Sequence, residues 1–141
     1  APNIHGSIKI DNQEVHFVSS ITTPPIDMNA YKEISQHLKV ITNFINDING
    51  PVIAVGDYNV VTYSSEMNKL RANANLKESR TTQTVIGESP IDHILYSEEL
   101  ECTDFISINE SGKNKVGIMG TYQFNRKYDG KKEKSDPDKN Q

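Results

Sequence analysis

Pro51 to Val55 (PVIAV) is the segment that most limits how this chain can fold, because it is a short apolar run with no polar alternation. Such a run suits a strand covered on both faces, so it belongs in the middle of a sheet. Both ends are marked. Gly50-Pro51 supplies a stop signal for whatever precedes it, and Gly56-Asp57-Tyr58-Asn59 follows as a tight turn. Upstream, Tyr31, Ile34, Leu38, Ile41, Ile45 and Ile48 recur at three- and four-residue spacing, which predicts a helix with one apolar stripe. A helix leading into a buried strand implies an α/β layer, with the stripe laid against the sheet.

The flanking sequence adds strands. Alternating apolar residues, including Ile8, Ile10, Val15 and Phe17, surround the turn-forming Asp11-Asn12-Gln13, so residues 4 to 20 read as a β-hairpin. Pro24-Pro25 then forces an extended linker, since proline cannot donate to a ladder. After the central strand, Thr62 to Ser65 can cap a shorter helix carrying Met67, Leu70 and Ala74. Lys77 to Gly87 is polar and reads as loop. Ile91 to Tyr96, Cys102 to Ile108 and Val116 to Phe124 read as three further strands, the last two separated by a turn over Asn109 to Asn114. The expected architecture is one mixed, largely antiparallel sheet in an α/β (α+β) domain, with helices on one face and the other face uncovered.

At 141 residues one domain is the default. Residues 1–125 form it, and 126–141 read as a charged, disordered tail with almost no apolar anchor. No apolar run approaches the roughly 18 residues that a membrane helix needs. Cys102 stands alone, which excludes an internal disulfide and a paired-cysteine metal site. Ala1-Pro2-Asn3 lacks both a methionine and a signal-like apolar segment, so upstream sequence is expected to have been removed. The net charge of −4 hides an asymmetry, because Arg126 to Gln141 carries six basic against four acidic residues and leaves the body at −6. An acidic body repels phosphate backbones, which argues against tight nucleic-acid binding.

The sharpest local signal for chemistry is Asp57 and Asn59, directly after the buried strand. A carboxylate and an amide two residues apart can point the same way off an extended backbone, one to take a proton or bind a cation, the other to bond a phosphoryl oxygen. The same pair in a glycine turn can equally do no more than satisfy backbone donors.

Pro51 to Asn59 (PVIAVGDYN) resembles the GDFN strand of the endonuclease/exonuclease/phosphatase superfamily. Val15 to Pro25 (VHFVSSITTPP) is similar to the superfamily's strand leading into a His-x-x-x-Pro turn, and Pro90 to Ser97 (PIDHILYS) to its IDHI strand. Thr62-Tyr63-Ser64, followed by Met67 to Arg80, is similar to a bacterial subgroup often anchored in a membrane upstream of the domain. The resemblance covers roughly residues 4 to 124. It implies the C-terminal half of a four-layer sandwich and metal-dependent hydrolysis of phosphodiesters or phosphomonoesters, usually with Mg²⁺. Carried over by position, Asp57 would orient the nucleophile, Asn59 would contact the scissile phosphate, and Asp92 would hold a histidine base.

Two departures weigh against that activity. Ile21 stands where the superfamily has its first catalytic histidine, and it can neither donate to phosphate nor carry charge. The closing Ser-Asp-His motif aligns with Lys113-Asn114-Lys115, so Asn114 would be a weak metal ligand and Lys115 a phosphate-attracting residue but a poor base. Ser135-Asp136-Pro137 lies in the tail and lacks an imidazole. The superfamily's metal-binding asparagine and glutamate come from an N-terminal half that this chain does not contain. His5 and His37 read as solvent-facing, His16 as a strand residue, and His93 as structural. The expected function is therefore a metal-dependent phosphoesterase fold with lost or weakened hydrolysis, or else a binding or interaction domain that kept the fold. The expected partner is the missing half of the domain or a second copy.

Overall fold

The computed structural model describes residues 3–80, 90–109, 111 and 115–128. Strands β1 (Asn3–Ile10) and β2 (Gln13–Ile21) pair antiparallel through a turn at Asp11-Asn12, both in the left-handed region at φ 48° and 63°. That backbone is the mirror-image hairpin turn that short Asp and Asn side chains tolerate and that matches strand twist. Helix α1 (Met28–Asn46) follows, capped by the Asp27 carboxylate, which accepts from Ala30 N at 2.8 Å. It buries Ile34, Leu38, Ile41 and Ile45 of the expected stripe together with Ala30, while Tyr31 is exposed and Ile48 packs partly buried beyond the helix end; the helix begins three residues earlier and ends two earlier than the periodicity alone marks.

Strand β3 (Val52–Asp57) lies between β2 and a later strand, parallel to the first and antiparallel to the second. Its central place follows from the apolar run. Helix α2 (Ser65–Ala74) is capped by Ser64 and ends at Asn75 in the left-handed region. Strand β4 (Leu76–Glu78) and strand β5 (Asp92–Ser97) complete a sheet of order β1-β2-β3-β5-β4. β4 corrects the expectation that the chain from Lys77 is loop: three residues are too few to show a period, and pairing with β5 sets their conformation. Residues 81–89 of that expected loop lie outside the described residues.

The strands divide between two sheets, where a single one was expected. Strands β6 (Leu100–Asn109) and β7 (Lys115–Phe124) form their own two-stranded sheet instead of extending the first. β5 is already flanked on both sides, so the chain turns at Glu98-Glu99 and leaves the plane. The hairpin lies over part of the face opposite the helices. Leu100, Tyr122 and Phe124 pack there with Val15, Phe17, Ile53, Val55, Ile94 and Tyr96. That face is therefore partly covered, where the sequence led us to expect a bare one. The larger core lies on the other side, where Val18, Val52, Ala54 and Leu95 meet the two helices. Most of the expected tail, residues 129–141, lies outside the described residues, and no described helix is long and apolar enough to cross a membrane.

Candidate functional site at the end of the central strand

Alternation along the strands puts every second residue on one face. Val15 and Phe17 on β2, Ile53 and Val55 on β3, and Ile94 and Tyr96 on β5 face the hairpin side, so Ile21, Asp57 and Asp92 share that side. Register then aligns them. Ile21 pairs with Asp57, and Asp57 pairs with Asp92, giving one row across three strands at the end of β3.

The next pair along is hydrogen-bonded, since Tyr58 N donates to Ile91 O at 3.0 Å, which makes the Asp57–Asp92 pair one of the close, non-hydrogen-bonded kind. Their Cβ atoms then stand about 4.5–5.5 Å apart, and two carboxylates at that spacing repel. Arg80 relieves this. Its Nη2 lies 3.8 Å from Asp92 Oδ1 and donates to Asp92 O at 3.1 Å, while its guanidinium sits 5.1 Å from the centroid of the Phe105 ring. The sequence reading missed Arg80, because it follows a strand too short to announce itself.

Asp57 and Asn59 do not project side by side from an extended backbone. Asn59 has φ 52°, and its N–H donates to Asp57 Oδ1 at 3.1 Å. Its Nδ2 donates to Thr22 O at 2.8 Å. Both residues thus satisfy backbone groups, as an Asp and Asn in a glycine turn often do. The arrangement still leaves Asp57 Oδ2 and Asn59 Oδ1 unengaged by any described residue. The turn also fixes the neighbouring strands: a Cβ on Gly56 would stand 2.0 Å from Ser20 O, so only glycine lets β2 and β3 approach this closely.

His93 is fully buried on the helix side, away from the carboxylate row. Its Nε2 bonds Val60 O at 2.7 Å and its Nδ1 lies 3.4 Å from Glu78 Oε2. Tyr58 stacks on it at 5.9 Å, and burial holds that phenol well above its ordinary pKa. This accords with a structural His93 that pins the turn from behind. Of the other histidines, His5 bonds His16 at 3.1 Å and edges Phe44, while His37 is half-buried and bonded to Asn3 Oδ1, less exposed than the sequence suggests. Lys115 opens β7 opposite Asn109 at the turn end of the hairpin. Asn114 and Lys113 lie outside the described residues. Among the described residues, no three His, Cys, Asp or Glu side chains converge as a metal site.

No protein-family profile and no curated protein sequence matches this chain. Solved structures do match. The catalytic domain of human Nocturnin aligns over 87% of this chain and 53% of its own, at 14% identity and a TM-score of 0.66. An endonuclease/exonuclease/phosphatase protein from Beutenbergia cavernae aligns over 86% of this chain and 39% of its own, at 13% identity and a TM-score of 0.68. A mannosyl-6-phosphatase from Bacteroides thetaiotaomicron aligns over 86% and 57%, at 16% identity and a TM-score of 0.58. At these identities the likeness is one of fold, and the chain spans about half the length of the structures it matches.

Proposed function

We propose that this chain, folded as part of an endonuclease/exonuclease/phosphatase-type sandwich, is a phosphate-ester site whose hydrolytic step is lost or strongly weakened. The observation that supports the reading is the row Ile21–Asp57–Asp92, in which an apolar side chain, 58% exposed, lines up with two carboxylates; the sequence resemblance implies a catalytic histidine at that position. An isoleucine with more than half of its surface exposed contributes little to packing. It cannot donate a proton or steady a phosphoryl oxygen either.

Within this reading Asp57 orients a nucleophile, Asn59 presents its amide to a phosphoryl oxygen, and Lys115 attracts phosphate from the hairpin. Asp92 pairs with Arg80 at 3.8 Å and so retains a cationic neighbour. Mg²⁺, which the sequence resemblance implies, is usually held by one or two carboxylates, with waters and substrate phosphate completing its oxygen shell. Asp57 and Asp92, with Asn114 as a neutral oxygen, are the residues of this chain that would hold it, and no step is assigned to it. The bound sulfate in the Nocturnin structure is an observation on that protein, and it accords with anion chemistry on this fold.

A positioned general base typically gives a factor of ~10²–10⁴ and an oxyanion donor ~10²–10³, so losing both leaves little hydrolysis. The test is hydrolysis of a generic phosphodiester and a generic phosphomonoester with Mg²⁺ or Mn²⁺, beside an Asp57→Ala control. Equal rates in the two proteins are expected. Turnover that the control abolishes would restore the full enzyme reading. A second reading, an interaction domain that kept the fold, is favoured by the exposed isoleucines on the same face. It separates from the first by titration with a phosphodiester, because only a phosphate site loses affinity in Asn59→Ala.

A further inference from the structure

β1 is an edge strand. Its inner side is bonded to β2 from Asn3 to Ile10, and no described strand pairs with its outer side. Register sets Ile4, Gly6, Ile8 and Ile10 opposite Ser19, Phe17, Val15 and Gln13, so all four lie on the side that carries the carboxylate row. Ile4, Ile8 and Ile10 are 70%, 56% and 43% exposed. Proteins blunt such edges with proline, bulges or charge. Here the strand is eight residues long, pairs without a bulge, and carries one formally charged side chain, Lys9, which is already opposite Glu14.

We propose that β1 is an interface with a second copy of this chain, pairing antiparallel about a two-fold axis at Gly6. The sequence of the strand is self-complementary about that residue. Ile4 lies two residues before Gly6 and Ile8 two after it, so each Ile4 meets Ile8 of the partner subunit, twice over. His5 then faces Ser7 and Asn3 faces Lys9, with no like charges opposed. The axis falls on the residue without a side chain, and a Cβ there would meet nothing within 4 Å. Centring on Ser7 instead pairs Ile4 with Ile10 but sets His5 against Lys9 and leaves Ile8 against Gly6. Centring on His5 leaves Ile8 outside the pairing. A one-residue slip turns one copy over and puts its isoleucines on the wrong face.

The product is a continuous ten-stranded sheet, twice the five strands of one copy. Because the axis runs through the sheet, both carboxylate rows open on the same side. The interface does not depend on whether either row hydrolyses anything. One strand pair with four isoleucines is small against the ~1,200–2,000 Å² of standard stable interfaces, so the dimer is expected to dissociate on dilution.

Two experiments on the intact chain test this. Sedimentation across a range of concentrations is expected to show a monomer–dimer equilibrium that Ile8→Lys shifts at least tenfold toward monomer. Ile8 is exposed, so the variant should keep its circular dichroism and unfolding midpoint. In a Cys102→Ser background, Gly6→Cys places two thiols directly opposite at the axis, within the ~4.4–6.8 Å Cα spacing of a disulfide. Mild oxidation should convert it to a covalent dimer, whereas Ser7→Cys, which faces His5, should cross-link far less. A chain that is monomeric at every concentration leaves the edge to some other strand and overturns the proposal. Equal cross-linking at both positions does so too.

Discussion

Asn59 shows how one residue can serve the fold and stand in the proposed site together. Its left-handed backbone costs an ordinary side chain roughly 1 kcal/mol, and the amide offsets this by closing the turn onto Thr22 O at 2.8 Å. The two contributions can be separated. Asn59→Gly removes the bond and the strain together, so the two nearly cancel and a net change below about 0.5 kcal/mol is expected. Asn59→Ala removes the bond and keeps the strain, so a loss of about 1 kcal/mol is expected. Urea unfolding of the two variants checks the order, and an alanine variant no worse than glycine would mean that the turn relaxes. The sequence made Asp57 and Asn59 visible as a pair, because a glycine turn after an apolar strand is a local pattern. It could not show that Asn59 faces Thr22, 37 residues away in the chain, nor that Arg80 neighbours Asp92. Those neighbours are set by register between strands, which no window of sequence contains.

Element by element, legibility follows the same rule. α1 was readable from its stripe, and β3 from its lack of alternation, since each signal is internal to the segment. β4 was not readable, because it is a strand only by virtue of its pairing with β5. The separate β6–β7 sheet was missed for a related reason: its residues alternate like any strand, and only the filled positions around β5 exclude it from the first sheet. α2 lies between these cases. Its apolar stripe is short, with Met67, Leu70 and Ala74 buried, so its start depends on the Ser64 cap, which accepts from Met67 N at 3.2 Å. Ser64→Ala is expected to destabilise the chain by about 1 kcal/mol. Ser65→Ala, which leaves the cap bond intact, should cost less than half of that. Thermal unfolding of the two variants distinguishes them, and equal losses would show that the hydroxyl at 64 is not the cap.

Across the whole molecule, the two sides of the sheet are unequally defended. The helix side joins fourteen buried residues from both helices, four strands and the turn after β3 into one cluster, whereas the hairpin side has three buried residues with partly buried ones around them. β3 is bonded on both flanks and sits beneath both layers, while among the described residues the outer halves of β6 and β7 are bonded only to each other. Local opening should therefore be graded along the hairpin. Near its base, Tyr122 is held by Ser79 at 2.5 Å and Phe105 lies against Arg80. Beyond Phe105, Ile106 and Ile108 are exposed, and among the described residues no hydrogen bond ties them back to the first sheet. Native-state hydrogen exchange is expected to find the amides of Ile53 to Val55 exchanging last, at the free energy of global unfolding. Those of Ser107 and Ile118 should exchange at least a hundredfold faster, with Cys102 and Tyr122 between. Tyr122→Phe removes the bond to Ser79, so it should speed exchange at the base of the hairpin and leave β3 unchanged. If the hairpin tip and β3 instead exchange together, the two sheets unfold as one unit, and the apolar contacts around Leu100 and Phe124 couple them more strongly than their small buried cluster implies.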